Sequence, residues 1–460
     1  MLSPNLLPAL VATLLLLVIP CRAIDPSAER IVVLLSVDGL AHFYLDDPKA
    51  EMPTIRQLAA EGARVEKMRA VLPTVTWPIH TTLVTGVSPA KHGVVGNSFL
   101  DRTTRKLMPL IWDPLFDKEE IVRVPTIYDL AKRAGLKTAA VVWPGGRGAK
   151  SLDWTIPCVD AEPLYYAYAT PSLWPELQAA GILYETEIEG FKDGKGRGRD
   201  RLNVQIFNHI VHTHRPNLAL LHLLEVDHVE HAKGPQTPEA YDAVKFADEQ
   251  VREVWKELQY SFPGKATLIV VSDHGFLAYR QLIQPNVVLR QEGLLTSEGK
   301  AITGGQVRAT AQGGSSFVYV LDQANRDALI PRLIERFKTV EGIDLVIPPA
   351  DFAKIGVADP ATNPRMADIV LTAQEGYTFS DALTGDLIVT PPSEQVKGTH
   401  GYDPDLPPLH ATFVAWGAGI KPGARLGTIR NTDVAPTAAA LLGVAMPDIE
   451  GRPLETILAR

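Results

Sequence analysis

Acidic and histidine residues recur where the apolar runs of this chain end. Asp38 follows "IVVLLSV" (31–37), Asp227 and His231 follow "NLALLHLLEV" (217–226), and Asp273 with His274 follow "ATLIVVS" (266–272). His400 stands in "KGTHGYDPD", ten residues ahead of His410, where the run "HATFVAWG" (410–417) begins. Three aspartates and three histidines supply nitrogen and oxygen ligands for two zinc-like ions. Asp227 and His231 are four residues apart, so one helical turn puts them on one face. A lone Asp after a strand is ordinarily a turn or helix cap, and a single "DHG" is a weak signal. The coincidence of four such places carries the metal reading. The three close histidines of "HIVHTH" (209–214) read instead as a helix end. A hydroxyl adds to the set: Thr76 precedes Trp77-Pro78, where an apolar run turns into a helix. Such a threonine either caps the helix or, activated by a base or a metal, attacks.

These residues need a scaffold that brings them together. Short β-rich runs at 31–37, 137–143, 217–226, 266–272 and 410–417 alternate with helix-like segments such as "MPTIRQLAAEG", "VPTIYDLAKRAG" and "YDAVKFADEQVREVWKEL". Near-continuous apolar strands between amphipathic helices predict an α/β fold with a mostly parallel central sheet and helices on both faces. In such sheets ligands collect outside the carboxyl ends of the strands, which draws residues far apart in sequence to one edge. Residues 295 to 395 break the rhythm, with strand candidates "SSFVYVLD" and "ADIVLTAQ", and are expected to form a small inserted cap. "EGFKDGKGRGRDR" (189–201) is expected to be a solvated surface loop.

With 460 residues and 46% hydrophobic content, the chain is long enough for one large domain or two to three ordinary ones, with a sizeable core. A net charge of −8 argues against a nucleic-acid duplex as the resting partner. It leaves room for a small phosphorylated substrate, because metal ions can supply positive charge locally. Residues 5 to 20, "NLLPALVATLLLLVIP", end in "CRA" and read as a signal peptide over 1–23, leaving residues 24–460 as the catalytic domain. An uncleaved membrane anchor is the alternative. After cleavage no stable membrane insertion is expected and Cys158 is the one remaining cysteine. An exported chain without a disulfide suits the periplasm or a secreted protein that relies on its core and bound metal. Cys158 itself is expected to be a small buried apolar residue.

The set "SVDGL", "PTVTWPIHTTLVTGVSPAKHGVVGN", "WPG", "EVDHVEHAKGP", "VSDHGF" and "THGYDPDLPPLHATFVAWG" resembles the nucleotide pyrophosphatase/phosphodiesterase family of the alkaline phosphatase superfamily. The resemblance runs from about residue 30 to 455 and is weakest between 295 and 390. It implies an alkaline-phosphatase-like fold and a di-zinc hydrolase that cleaves phosphodiester or nucleotide pyrophosphate bonds through a phosphothreonine intermediate. Carried over residue by residue, Asp227, His231 and His400 would hold one Zn2+. Asp38, Asp273 and His274 would hold the other, together with the Thr76 oxygen, so the resemblance makes Thr76 the nucleophile.

One position departs from the family pattern. Members carry "TFPNH" where this chain has "TWPIH", so Ile79 replaces an asparagine that helps hold a phosphoryl oxygen. The expectation is a missing donor or an apolar wall for a bulky ester group, with backbone N–H groups, chiefly that of Trp77, taking over. Trp77, Ile79, Asn97 and Tyr166 are the expected substrate-binding residues; Tyr165 and Tyr168 flank the last. A phosphomonoesterase or phosphonate hydrolase on the same site is the enzymatic alternative, and it would want extra positive charge from Arg147 or Lys150. A zinc-stabilised binding protein without turnover has only Ile79 in its favour. A sulfatase is disfavoured, because no C-x-P-x-R or S-x-P-x-R sequence stands at the nucleophile.

Overall fold

Five of the expected apolar runs are strands of one eight-stranded sheet. In the computed structural model, which describes residues 30–112, 115–159, 162–183, 196–392 and 397–459, the strands are β1 (Ile31–Val37), β2 (Ala63–Arg69), β3 (Thr138–Val141), β4 (Trp154–Ile156), β5 (Leu218–Leu223), β6 (Ala266–Val271), β7 (Phe413–Gly417) and β8 (Ala424–Arg430). The expected leader over 1–23 lies outside the described residues. The spatial order is β8–β2–β7–β6–β1–β5–β3–β4. β1 pairs in parallel with β5 and β6, and only β7 runs against its neighbours β2 and β6. No helix of the described residues is long and apolar enough to cross a membrane.

Every residue of β1, β5 and β6 is buried, which is why these runs are apolar without alternation. Successive residues of β1 serve opposite faces: Val33 and Leu35 join one apolar cluster, Val32 and Leu34 the other. Ile55 and Leu58 of the helix Pro53–Glu61 and Val251, Val254 and Leu258 of the helix Pro238–Ser261 lie in the first cluster. Leu83 and Val84 of the helix Thr76–Thr85 and Ala438 of the helix Val434–Leu442 lie in the second. Helices therefore cover both faces, as expected. Cys158 is buried in the first cluster. The strands that the sequence reading missed are the short β4 and the charged β2 and β8, which pair with each other at one end of the sheet.

Between Leu277 and Thr399 the chain leaves this sheet. It builds an antiparallel sheet from Val307–Gln312, Ser315–Val320, Ile369–Ala373 and Ile343–Ile347, and a second one centred on Leu277–Ile283. These strands have their own apolar cluster, around Val318, Val320, Leu333 and Phe337. The stretch 189–201 differs from expectation. Residues 189–195 lie outside the described residues, but from Arg197 the chain is helical to His214. The reason is tertiary: Asp200 is buried and accepts the backbone N–H groups of Leu224 and Glu225, each at 3.0 Å. "HIVHTH" closes this same helix, as its residue types indicated.

The helix Pro53–Glu61 has no side-chain cap of its own; its N-cap residue is Met52. Its first-turn N–H groups are met by a carboxylate from elsewhere. Asp248 Oδ1 accepts from Ile55 N at 2.7 Å and Oδ2 from Thr54 N at 3.0 Å, with Asp248 only 2% exposed. Asp248→Ala leaves two buried donors unpaired and is expected to cost about 2–4 kcal/mol. A fall in the urea or thermal midpoint, with metal content and the specific activity of the folded protein unchanged, is the expected result.

Candidate active site

The parallel pairing of β1, β5 and β6 puts the ends of three strands side by side. Asp38 follows β1 directly, and its N–H donates to Leu223 O at the end of β5 (2.9 Å). Asp273 and His274 follow β6, and Asp227 and His231 lie in the helix Glu225–Lys233 just after β5. His400 follows the short strand Lys397–Thr399, which pairs with Leu277–Ile283 downstream of His274. Two glycines allow the chain segments to close in. A Cβ on Gly401 (φ +94°) would lie 2.0 Å from Gln312 O, and one on Gly275 would lie 2.0 Å from Pro408 O. Both positions therefore exclude any side chain.

The ligand atoms gather into two overlapping groups: Asp227, His274 and His400, and Asp38, Asp273 and His274, with all atoms of each group within 4.8 Å of one another. The rings of His274 and His400 stack at 3.6 Å between centroids. His231 completes the cluster from the solvent side: its Nε2 is 3.4 Å from Asp227 Oδ1, and its side chain is 43% exposed. The resemblance implies a three-and-three division; the geometry differs in that His274 reaches both groups.

The donors in this cluster are arranged for a cation. His400 Nδ1 bonds the Thr74 carbonyl at 2.8 Å and His231 Nδ1 bonds the Gly398 carbonyl at 3.2 Å. A carbonyl only accepts, so each Nδ1 carries a proton, and each ring in its neutral form turns an Nε2 lone pair inward. Those lone pairs meet Asp227 Oδ1 at 3.5 and 3.4 Å, and His274 Nε2 lies 3.2 Å from Asp273 Oδ2 and 3.5 Å from Asp38 Oδ1. Asp38 Oδ1, Asp227 Oδ1, Asp273 Oδ2 and both nitrogens of His274 are buried and have no hydrogen-bond partner. Bonds of about 2.1 Å to a tetrahedral ion put neighbouring ligand atoms roughly 3.4 Å apart. The spacings and the orphaned atoms thus fit divalent metal, with carbonyl partners that orient the imidazoles.

The electrostatics agree. Burial, then the charge of Asp227, pushes the Asp38 carboxyl well above its ordinary range, and burial with Asp38 and Asp227 does the same to Asp273. Burial, then His400, pushes His274 well below the usual imidazole value, and burial, then His231, holds His400 at about 4. Asp227 is also raised by burial, but the imidazoles of His231, His400 and His274 together outweigh this and hold it low. Two buried carboxylates and the half-buried Asp227 side by side repel one another, and positive charge among them removes the conflict.

Thr76 is the first residue of the helix Thr76–Thr85; the N-cap is Val75, in extended conformation, and it makes no side-chain cap hydrogen bond. Thr76 is therefore not the cap. The helix needs no N–H from Pro78 in its first turn and ends at Gly86 (φ +69°). Asn97 is tied to the same turn: its Oδ1 accepts the Trp77 N–H at 2.9 Å, and its own N–H donates to Gln312 Oε1 at 3.0 Å. The backbone donor expected to meet a phosphoryl oxygen is thus engaged. Because that donor fixes the carboxamide oxygen, the Asn97 NH2 faces the other way, and among the described residues no hydrogen bond engages it.

The other expected site residues differ in burial. Ile79 is 0% exposed, in the apolar cluster with Leu83 and Phe413, and is no pocket wall. Trp77 is 2% exposed, packed edge-to-face on Trp112 with ring centroids 6.3 Å apart. Tyr166 is 41% exposed against Trp174, Tyr165 is buried, and Tyr168 lies under the Arg147 guanidinium at 4.4 Å. Arg147 is buried and paired with Asp117 at 2.9 Å, while Lys150 is exposed. The helix is buried on every side, Thr76 included, and Ile79, Leu83 and Val84 pack in the core.

Three residues at the site escaped the sequence reading. His80 bonds the Thr76 carbonyl through Nδ1 and Ser36 Oγ through Nε2, both at 2.9 Å. His222, in the middle of an apolar strand, bonds Asp38 Oδ2 through Nε2 at 2.9 Å and the Val142 carbonyl through Nδ1 at 3.2 Å. Val142 follows β3 at φ +49°, a strained conformation for a β-branched residue. Its carbonyl fixes the ring that fixes Asp38. The one available signal was a histidine inside the otherwise apolar "LALLHLL".

Comparison with known proteins agrees with this geometry. The family model described as type I phosphodiesterase / nucleotide pyrophosphatase matches residues 32–403, a span that takes in all six residues of the cluster and Thr76. The chain is 24% identical to the bis(5'-adenosyl)-triphosphatase enpp4 of Xenopus laevis over 437 residues, covering 92% of this chain and 80% of that protein. It is also 24% identical to ectonucleotide pyrophosphatase/phosphodiesterase family member 7 of Rattus norvegicus, covering 92% and 85%. The fold matches human ectonucleotide pyrophosphatase/phosphodiesterase 5 with a TM-score of 0.70 at 20% identity, covering 94% of this chain and 100% of that one. An inactive form of the murine protein in complex with AMP matches with a TM-score of 0.69 at the same identity and coverage. With the alkaline-phosphatase-like α/β fold and the family match over most of its length, the chain belongs to the type I phosphodiesterase / nucleotide pyrophosphatase family.

Proposed function

We propose that this chain is a zinc-dependent hydrolase of phosphodiesters and nucleotide pyrophosphates, with Thr76 as its nucleophile. The observation that carries this reading is the convergence of buried, unpartnered carboxylate and imidazole atoms beside the Thr76 turn: His80 Nδ1, which bonds the Thr76 carbonyl at 2.9 Å, lies 3.6 Å from Asp273 Oδ2. Asp38, Asp273 and His274 would hold one zinc ion with the Thr76 oxygen, and Asp227, His231 and His400 the other. Two zinc ions, when bound, supply the Lewis acidity that makes a hydroxyl nucleophilic near neutral pH and offsets charge on the phosphoryl group.

The residues of the chain do the rest. The Thr76 oxygen attacks phosphorus and the bond to the leaving oxygen breaks, which leaves a phosphothreonine; water then attacks the same phosphorus and regenerates the hydroxyl. Thr76 lies at the positive end of its helix, which favours an anionic substrate there. The Asn97 NH2, oriented by the Trp77 N–H, is the side-chain donor for a phosphoryl oxygen. It fills the role left open by Ile79. His80 and Ser36 steady the Thr76 turn from behind.

The competing readings lose their support in the surroundings. A monoesterase was to draw on Arg147 or Lys150, but Asp117 and Tyr168 engage the first and the second is exposed. The binding-protein reading rested on Ile79, which belongs to the core. A small phosphodiester or nucleotide, of the kind that the AMP-bound murine relative holds, is the substrate class proposed here.

Metal analysis is expected to find two zinc ions per chain, with hydrolysis of bis-p-nitrophenyl phosphate lost on chelation and restored by zinc. Chelation should also lower the thermal midpoint, because each tightly held ion contributes about 4 kcal/mol at a thousandfold excess over its Kd. Full activity in a metal-free sample would overturn the assignment.

Thr76→Ala should lower turnover on the order of 10,000-fold or more. It should leave zinc content intact and stability within about 1 kcal/mol, since Thr76 does not cap its helix. Acid-quenched wild-type reactions should contain phosphothreonine at this position. Retained diesterase activity in the variant would move the nucleophile elsewhere.

Asn97→Ala should cost about 100-fold in kcat, the scale for one oxyanion donor. Asn97→Asp should be worse, because it sets a negative charge against the phosphoryl oxygens. Equal activity in all three proteins would remove Asn97 from the site.

A further inference from the structure

A second cleft opens away from the Thr76 site. It lies between the hairpin of Ser98–Leu100 and Leu107–Pro109, the hairpin of Leu295–Glu298 and Ala301–Gly305, and the strand Val307–Gln312. Its volume is about 580 Å³, within the range of small-molecule sites. Four cations line it, Arg105, Lys106, Lys300 and Arg308, and no carboxylate does, in a chain whose net charge is −8. Apolar side chains complete the wall, among them Leu107, Leu295 and Ile302.

None of the four cations forms an ion pair among the described residues. Arg308 is the most constrained of them. Its Nη1 donates to the Arg105 carbonyl at 2.9 Å, while its Nε is buried without a hydrogen-bond partner. The carboxylate that acts on it electrostatically, Asp381, is engaged by the Ala311 N–H at 2.8 Å. A half-buried guanidinium without a paired anion is a cost that a ligand anion would relieve. Arg308 precedes Gln312, the residue that holds Asn97, by four positions on one strand, so the cleft is roughly 13 Å from the Asn97 contact.

We propose that this cleft is a binding site, separate from the hydrolytic centre, for a small amphipathic anion: a phosphate-type headgroup that carries an apolar body. The headgroup sits on Arg308 and Lys300, with Arg105 and Lys106 adding to the positive field, and the apolar part lies against Leu107 and Ile302. Lone phosphate lacks the second half of this match, and a bare hydrocarbon lacks the first.

The test is calorimetric titration of dodecyl phosphate into the zinc-loaded protein at fixed ionic strength. It is repeated on two double variants, Arg308→Gln with Lys300→Gln, and Lys106→Gln with Lys300→Gln. The second changes only side chains at the surface and guards against a folding defect in the first. Both are expected to weaken binding at this site at least tenfold, with hydrolysis of bis-p-nitrophenyl phosphate and the thermal midpoint unchanged. Inorganic phosphate and dodecanol are each expected to bind at least tenfold more weakly than dodecyl phosphate. Unchanged affinity in both double variants would overturn the proposal. Inorganic phosphate binding as tightly as dodecyl phosphate would overturn its amphipathic part.

Discussion

Three carboxylates brought together, Asp38 and Asp273 buried and Asp227 half-buried, are the constraint around which this molecule is arranged. Asp38, Asp227 and Asp273 meet where the ends of β1, β5 and β6 lie together, and burial with mutual repulsion drives two of them toward protonation. An apolar interior would not tolerate this arrangement without compensation. The three imidazoles aimed at the same space bring lone pairs as well as bulk, because backbone carbonyls hold the protons of His231 and His400 on the far side of the rings. With a cation among them, the carboxylate oxygens and imidazole nitrogens that face one another need no proton between them.

That site depends on parts of the chain with no chemistry of their own. β1 is the hub, with β5 on one side and β6 on the other in matched parallel register. A slip of one residue along either would turn Asp38 away from its partners. Behind Asp38, His222 rests on the carbonyl of strained Val142. Behind Thr76, His80 rests on Ser36 in β1 itself. The helix that starts at Thr76 and the edge that carries the carboxylate–imidazole cluster are thus keyed to the same strand. Asp200 does similar work for the helix that carries Asp227 and His231, from a helix start 25 residues earlier.

The chain from Leu277 to Thr399 has a separate apolar cluster yet takes part in the site at two points. It delivers His400 on a strand that pairs with Leu277–Ile283, and it supplies Gln312, which holds Asn97. The hairpin after Asn97 lies along the strand Val307–Gln312, with its base at the hydrolytic centre and its tip at the cationic cleft. Two sites of different character therefore share one piece of local architecture.

The carboxylate–imidazole cluster and the scaffold were legible in the sequence because both follow from local pattern. Fully buried strands must be continuously apolar, and polar residues at their ends are what an α/β edge offers to a ligand. So Asp38, Asp227, His231, Asp273, His274 and His400 could be named, as could five of the eight strands of the central sheet. The resemblance to a known family added the role of Thr76. What tertiary structure alone decided is which face each remaining residue serves. Ile79 and Trp77 sit beside the nucleophile in sequence, but a helix buried on all sides gives them to the core. Arg147 looked like a loop cation and is held by Asp117; Arg199 and Asp200 looked solvated and are buried. His222 and Val142 matter through a carbonyl and a carboxylate about 80 and 184 residues away in the chain. Spacing along a chain encodes periodicity and therefore burial, but the partner of a buried polar group is set only when distant segments pack.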